Sequence, residues 1–548
     1  MDNLYLPFRE AKPNTLNTVE FPPIGLDFGT SNSVLAHYTD EFHQRGAYAY
    51  ALPLLNGSNI FPSVIYYNKT LDKYITGCAA KMKQVTEPDA VVTSIKRKIS
   101  LENIEIAGEK IAPVELTAKI ISGLLRDVRS TELTMEPTVI TMTVPYYFKQ
   151  SQNYLLQQAS QIAFNEVFGN RHNIEIIPEP VAAAIDYICN RSSGRNISQT
   201  ILIYDIGGGT CDVTIVRYSL SGKSLEFEVL GIDGDEQLGG DDIDYLLLEH
   251  VCYENNINLA DLLAEKKYAK TISVLQDAVR DLKENLSIQD ACNLILPSLY
   301  VNDTYVNIDI VVTKKELNDI LRNRKRPGRN NSVLEAFDSA IKRLKLKTRN
   351  IAVDTLIPVG GTSMTPSIQQ VVKDNYPTGD HLILPEKGTQ ISVARGAAIY
   401  SALKDSRNLY PLGKSIQNIT IKMRVSHSLS VAMHDGTLVK LVNANSPAPF
   451  KASKKFYATR CDASQKFIEL STIELYQGEG INIFSENVEL VGRIDLSSYR
   501  LYTHGRYLKD IPFHVTFKAD AASLEANIIA TGVNPDKTDL VINETIKL

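Results

Sequence analysis

The chain has 548 residues, 44% apolar and 22% charged, with 30 Gly and 23 Pro. This is the composition of an ordinary globular protein of about two to four domains, and it excludes collagen, coiled coil and wholesale disorder. Lys and Arg total 58 against 63 Asp and Glu, a net charge of −5, so there is no bulk electrostatic case for nucleic acid or an acidic membrane as partner.

The 6 cysteines form no CxxC and the 9 histidines no HExxH, which argues against a zinc site. Cysteines this sparse fit a reducing compartment rather than a disulfide framework. Residues 1–23 read as an N-terminal extension rich in Asn, Pro, Thr and acids, without the apolar run of a signal peptide. No stretch of about 18 apolar residues follows. The expectation is a cytoplasmic protein that spans no membrane.

From Ile24 to Lys404, apolar runs alternate with helical patterns. Val139–Val144, Ile201–Tyr204 and Thr355–Val359 are expected as buried strands, and Ser151–Phe168, Val181–Asn190 and Ser273–Leu286 as helices. The alternation implies an α/β domain, taken as 24–410. Pro411, Gly413, Ser415 and Asn418 punctuate a linker, taken as 411–425. Beyond it, runs such as Phe456–Thr459, Phe467–Tyr476 and Pro512–Ala519 alternate and are rich in turns, so 426–548 is expected as an all-β domain.

One motif occurs twice. Ile24-Gly25-Leu26-Asp27-Phe28-Gly29-Thr30-Ser31-Asn32-Ser33-Val34 matches Ile203-Tyr204-Asp205-Ile206-Gly207-Gly208-Gly209-Thr210-Cys211-Asp212-Val213. Both read strand, Asp, Gly-rich turn, hydroxyl, strand. Turns without Cβ atoms let backbone N–H groups approach a phosphate, and Thr30, Ser31 and Thr210 add hydroxyl donors. An Asp at each strand end repels phosphate directly, but it can hold a hydrated Mg²⁺ that bridges to phosphate. Two copies at domain spacing predict two lobes facing across a cleft; the plain alternative is two tight hairpins with capping hydroxyls. There is no P-loop signature. Gly360-Gly361-Thr362-Ser363, between a strand and a helix, suits close approach of a nucleoside or a phosphate. Pro180 suits a first helical turn, leaving Glu179 just outside the helix to face the cleft or merely to stabilise the helix dipole.

These pieces resemble the seventy-kilodalton heat-shock chaperone family of the DnaK type. The match runs in order through Gly25–Ser31, Val91–Lys98, Thr143–Gln152, Ile177–Tyr187, Tyr204–Val213, Leu238–Asp244 and Val359–Pro366. Val144-Pro145-Tyr146-Tyr147-Phe148 followed by Pro178-Glu179-Pro180-Val181-Ala182-Ala183-Ala184 sets these chaperones apart from sugar kinases and actins. The resemblance implies an actin-like (ribonuclease H-like) two-lobed ATPase domain that hydrolyses ATP to ADP slowly with Mg²⁺ and K⁺, followed by a β-sandwich that binds unfolded or extended polypeptide.

By position, Asp27 and Asp205 would hold Mg²⁺ through water, and Gly29, Thr30, Ser31, Asn32, Gly207, Gly208, Gly209 and Thr210 would cradle phosphates. Lys96 would orient the attacking water, or be a plain surface lysine. Glu179 would bond the metal's water shell, and Asp212 would help place K⁺. Gly239, Gly240, Lys283, Ser287, Gly360, Gly361, Thr362 and Met364 complete the nucleotide set. Glu284 and Met364 stand where relatives have arginines against adenine, Arg280 replaces a ribose-binding Glu, and Gln390 an Asp. Asn153 replaces the arginine paired with the proline equivalent to Pro145, and 418–425 lacks the usual leucine run. The resemblance therefore implies weaker base selectivity and weaker interdomain coupling.

In the β-domain Leu429 and Val431 are the expected groove-lining residues, with ordinary core burial as the alternative. The sequence ends at Leu548 without the family's helical lid, so bound peptide is expected to exchange quickly. Partners implied are polypeptide clients, a co-chaperone and a nucleotide exchange factor. The basic run 321–329 lacks interleaved aromatics and is expected as a solvated face, not a nucleic-acid patch. Two other readings are an ATP-binding interaction protein with little turnover and a dedicated partner, and a small-molecule kinase.

Overall fold

A computed structural model of the chain describes residues 23–39, 48–129, 137, 139–146, 148–169, 172–191, 196–235, 237–377, 389–404, 416, 418–425, 427–444, 446–447, 450–457, 467–469, 472–485, 488–504, 511–519 and 523–547. Residues 1–22 and 405–415, which carry most of the expected extension and the start of the expected linker, lie outside these. The chain divides into two compact units, Met1–Tyr146 with Gln152–Thr420, and Tyr147–Ser151 with Ile421–Leu548.

The first unit is mixed α/β and built on two principal sheets. In one, β1 (Ile24–Phe28) pairs antiparallel with β2 (Asn32–Tyr38) and parallel with β3 (Ile140–Val144), which in turn pairs parallel with β4 (Ile174–Pro178). Short strands Ala49–Ala51 and Phe61–Pro62 complete it beside β2. In the other, β5 (Asn196–Ile206), β6 (Cys211–Ser221) and β7 (Ser224–Asp235) form an antiparallel meander, and β8 (Thr355–Val359) runs parallel to β5. The sequence echo is thus a structural one. Each Asp-bearing strand, β1 or β5, forms a hairpin on one side and a parallel pair on the other. All five residues of β3 and of β8 are buried, which is why they read as unbroken apolar runs rather than as alternating ones.

Four helices frame the site: α1 (Glu179–Arg191), α2 (Gly240–Glu254), α3 (Ala269–Leu286) and α4 (Ser392–Lys404). Glu179 opens α1 instead of preceding it, a position where the helix dipole favours an acid. α4 lies unusually close to β1 and α1. A Cβ on Gly25 would fall 2.2 Å from the Ala394 carbonyl oxygen, and one on Gly396 only 1.7 Å from that of Ala182. Ala394, Ala397 and Ala398 fill the seam. Ser401 donates to the Ile24 carbonyl at 2.8 Å, and Arg395 Nε to Asp186 Oδ1 at 2.9 Å. A second core gathers Leu202, Tyr204 and Val213 with Leu246, Leu275, Phe337 and Ile341 around the other sheet.

Past Thr420 the described residues contain strands but no helix. One sheet runs Leu438–Val442, Leu429–Ala432, Ile473–Gly478, Val488–Ile494; the other Phe450–Tyr457, Pro512–Ala519, Ser523–Ala530, Leu540–Lys547. They share one core, Leu429, Val431, Leu475 and Ile494 from the first with Val515, Phe517, Ile528 and Ile542 from the second. The run Phe467–Tyr476 supplies two strands, Phe467–Glu469 and Ile473–Gly478, in different sheets. No helix among the described residues is long and apolar enough to cross a membrane.

Candidate functional site

Both glycine turns open into one cavity of about 360 Å³ within the first unit. The β1–β2 turn is held from behind by Ser63, whose hydroxyl donates to the Gly29 carbonyl at 2.8 Å and whose N–H donates to Ser31 O at 2.9 Å. A Cβ on Gly29 would meet Asn32 O at 2.1 Å, and one on Gly208 would meet Ser31 Oγ at 2.2 Å. Gly29 thus makes room for the tight turn of its own hairpin, and Gly208 brings the second hairpin against Ser31 of the first. The third glycine site is tied to the second: Thr362 Oγ1 donates to Gly207 O at 2.9 Å, and Gly360, at φ 74°, leaves no room for a side chain beside Ile206 O and Asp205 Oδ1.

Asp27, Glu179 and Asp205 line the cavity together with Lys96. Lys96 Nζ lies 2.6 Å from Glu179 Oε1 in a buried ion pair, and Thr143 donates to Asp27 Oδ1 at 3.3 Å. Burial works against a charged Lys96, but the fields of Glu179, Asp27 and Asp205 outweigh it and hold its pKa above the ordinary lysine value. Burial, and then Glu179, push Asp27 up to about 7 against the opposing pull of Lys96 and Thr143. Asp205 is driven well above the carboxylate range by burial first, then by Glu179 and Asp27. Glu179 is buried, Asp27 and Asp205 are half-buried, and one ammonium serves all three, so protons are retained where a bound cation could replace them. No group of three His, Cys, Asp or Glu among the described residues is spaced to ligate a metal directly. The carboxylates of Asp27, Glu179 and Asp205, gathered at one end of the cavity, fit a hard cation that brings its own water shell, as Mg²⁺ does.

Of the residues singled out from sequence, Asp27, Gly29, Thr30, Ser31, Asn32, Lys96, Glu179, Asp205, Gly207, Gly208 and Thr210 line this end of the cavity, and Lys283, Ser287, Gly360, Gly361, Thr362 and Met364 the remainder. Four do not. Gly239 and Gly240 brace the second turn from behind, with Gly240 N–H donating to Gly207 O at 3.0 Å. Asp212 is the register partner of Asp205 and is buried. The space beside Gly209 is filled by the Arg97 guanidinium, 2.1 Å from where a Cβ would stand.

Sequence reasoning missed Asp241, Asp244, Thr365 and Thr389, which also line the cavity. The acid-rich start of α2, Asp241-Asp242-Ile243-Asp244 directly after Gly239-Gly240, was the available signal for the two acids. Asp244 is held by Lys283 at 2.8 Å and Arg280 at 3.6 Å. Burial raises the pKa of Asp241, and Arg97 pulls it the other way. One face of α3 presents Arg280, Lys283, Glu284 and Ser287 to the cavity, the spacing of helical neighbours.

Elsewhere, Leu429 and Val431 are 6% and 5% exposed in the core between the β-sheets, so the structure presents neither to a groove. Their strand parity turns them inward, which is the core-burial alternative. In the basic run, Arg326 pairs with Asp242 at 2.7 Å and Arg329 with Asp235 at 2.8 Å, intramolecular contacts that leave less charge for an external anion.

A mixed α/β unit with two opposed glycine hairpins, joined to an all-β unit, defines a nucleotide-binding class of protein. The family model described as Hsp70 protein matches residues 23–103 and 98–539, and the chain belongs to that family of chaperone ATPases. Members bind ATP or ADP with Mg²⁺ and associate with unfolded polypeptides and co-chaperones.

Proposed function

We propose that the protein is an ATP-dependent chaperone that hydrolyses Mg-ATP slowly in the cavity and couples nucleotide state to binding of extended polypeptide by its all-β unit. The observation that carries this is the convergence of Asp27, Glu179, Asp205 and Lys96 between two glycine hairpins. The corresponding domains are an actin-like (ribonuclease H-like) ATPase domain 24–410, a linker 411–425 and a peptide-binding β-sandwich 426–548. A cytoplasmic setting, a stress-response role, a co-chaperone and a nucleotide exchange factor belong to the same reading.

Asp27 and Asp205 would hold Mg²⁺ through water, with Glu179 accepting from that shell. Bound there, the ion supplies neutralisation of phosphate charge. Gly207, Gly208, Thr30, Ser31 and Thr210 offer backbone and hydroxyl donors to phosphate oxygens. Lys96, fixed by Glu179, places a positive charge where negative charge grows at the transferred phosphoryl group, and positions the attacking water. Asp212, buried behind Asp205 and outside the cavity lining, is the residue that the family resemblance would put near K⁺. For the polypeptide, Ile481 and Phe484 stand 81% and 85% exposed on a loop pinned by Leu438 N–H to Ile481 O and Ile483 N–H to Gly436 O. An ordered loop that displays apolar side chains suits an apolar segment.

Single-turnover hydrolysis tests the assignment. Lys96→Ala should lower the rate by roughly two to three orders of magnitude while Mg-ATP still binds. Lys96→Met, which keeps most of the buried volume, serves if Lys96→Ala fails to fold. Unchanged turnover in either variant would remove Lys96 from the chemistry. A second reading, an ATP-binding interaction protein with little turnover, is favoured by the nucleoside end, where Glu284 and Met364 line the cavity. It predicts wild-type hydrolysis no faster than that of the variants.

A further inference from the structure

Lys96 and Arg97 are neighbours on one short 3-10 turn, Ile95–Lys98, yet their side chains reach opposite walls of the cleft. Ile95 and Lys96 are buried, Lys96 against Glu179. The chain enters this turn through Ser94 in the left-handed region, φ 53°, a conformation uncommon for a residue with a side chain. Arg97 then crosses to the second hairpin. A Cβ on Gly209 would fall 2.1 Å from Arg97 Cζ, 2.2 Å from Nη2 and 2.3 Å from Nε. Distances so nearly equal mean that the face of the guanidinium, not its edge, covers Gly209.

Arg97 Nη1 continues to Asp241 Oδ2 at 3.8 Å, its one ion pair among the described residues. Asp241 is bonded in turn to the hairpin it overlooks, its N–H donating to Gly208 O at 2.6 Å. The two side chains are 28% and 32% exposed, so water can reach the pair and it can open. A planar guanidinium can stack on a flat backbone and hold a carboxylate at once, which an ammonium cannot. The turn that bears Lys96 is thereby fastened to the far wall at the phosphate end of the cavity.

We propose that Arg97 is a positioning residue: through Gly209 and Asp241 it holds the turn carrying Lys96 against the second glycine hairpin, and Lys96 reaches its working position only while that contact is closed. The consequence for turnover rests on the ATPase reading above; the mechanical link does not. Backbone amide exchange of residues 95–99 in the full-length, nucleotide-free protein therefore comes first. In Asp241→Asn, which leaves the sequence of the turn intact, exchange there should quicken roughly tenfold, and equally in Arg97→Ala. Single-turnover hydrolysis should fall roughly tenfold in each, and in Arg97→Ala, whose residue is not part of the cavity lining, Mg-ADP affinity should stay within about twofold of wild type, because a misplaced group costs rate rather than ground-state binding. The double variant should be no worse than Arg97→Ala alone. Unchanged exchange in both single variants, or losses that add in the double, would overturn the proposal. Faster exchange in a protein that shows no wild-type hydrolysis would uphold the latch and refute the ATPase reading instead.

Discussion

Asp27 shows what three carboxylates around one ammonium do to a single residue. Its pKa of about 7 in the fold lies above the value near 4 expected in the unfolded chain. The folded protein therefore holds a proton that the unfolded chain has released between those values. The stabilisation this gives is complete below about pH 4 and is lost as pH rises through about 7. In the metal-free protein, Asp27→Asn should remove that dependence. Urea unfolding at pH 5 and pH 8 should show wild type losing more stability than the variant over the interval. Equal losses would mean that Asp27 is not held in its neutral form. That Asp27 and Asp205 belong together was legible in the sequence, because each precedes a glycine turn at a strand end and the pattern occurs twice. The role of Gly209 was not. A missing Cβ says that something comes close, and only the fold shows that Arg97 does.

Among the elements, the position of α4 decides whether the site exists, since it packs on β1, which carries Asp27, and on α1, which begins with Glu179. Two effects compete at Gly396. Alanine is better by about 1 kcal/mol in a helix interior, but its Cβ would stand 1.7 Å from the Ala182 carbonyl oxygen. Backbone on both sides cannot yield by so much, and overpacking costs about 1–3 kcal/mol or more. Gly396→Ala should thus be destabilising overall by about 1–2 kcal/mol or more, read from the denaturation midpoint, and should weaken Mg-ATP binding as Glu179 and Asp27 move apart. A variant as stable as wild type would mean that α4 shifts freely. Strands β3 and β8 were readable as buried because both of their faces are covered. The parity of Leu429 and Val431 was equally plain, but which face of their strand meets the opposing sheet depends on the Phe517 and Ile528 strands that pack against it. No local pattern carries that information.

Across the whole chain, one family match extends over both units, and the proposed function makes the nucleotide site of one serve polypeptide binding in the other. The doubled Asp-Gly-Thr motif made the first unit readable, since its repeat is written in the chain itself. The second offered only alternation and turns, which specify an all-β unit without saying where a ligand sits. Exposed Ile481 and Phe484 became visible as a surface only after the strands around them had buried their own apolar faces. Steady-state ATP hydrolysis by the full-length protein, with and without a panel of unfolded peptides, joins the two units in one reading. Slow basal turnover, dependent on Mg²⁺, should rise several-fold with extended apolar peptides and not with a folded control protein. Hydrolysis indifferent to every peptide, or none above the Lys96→Ala background, would refute the proposed coupling.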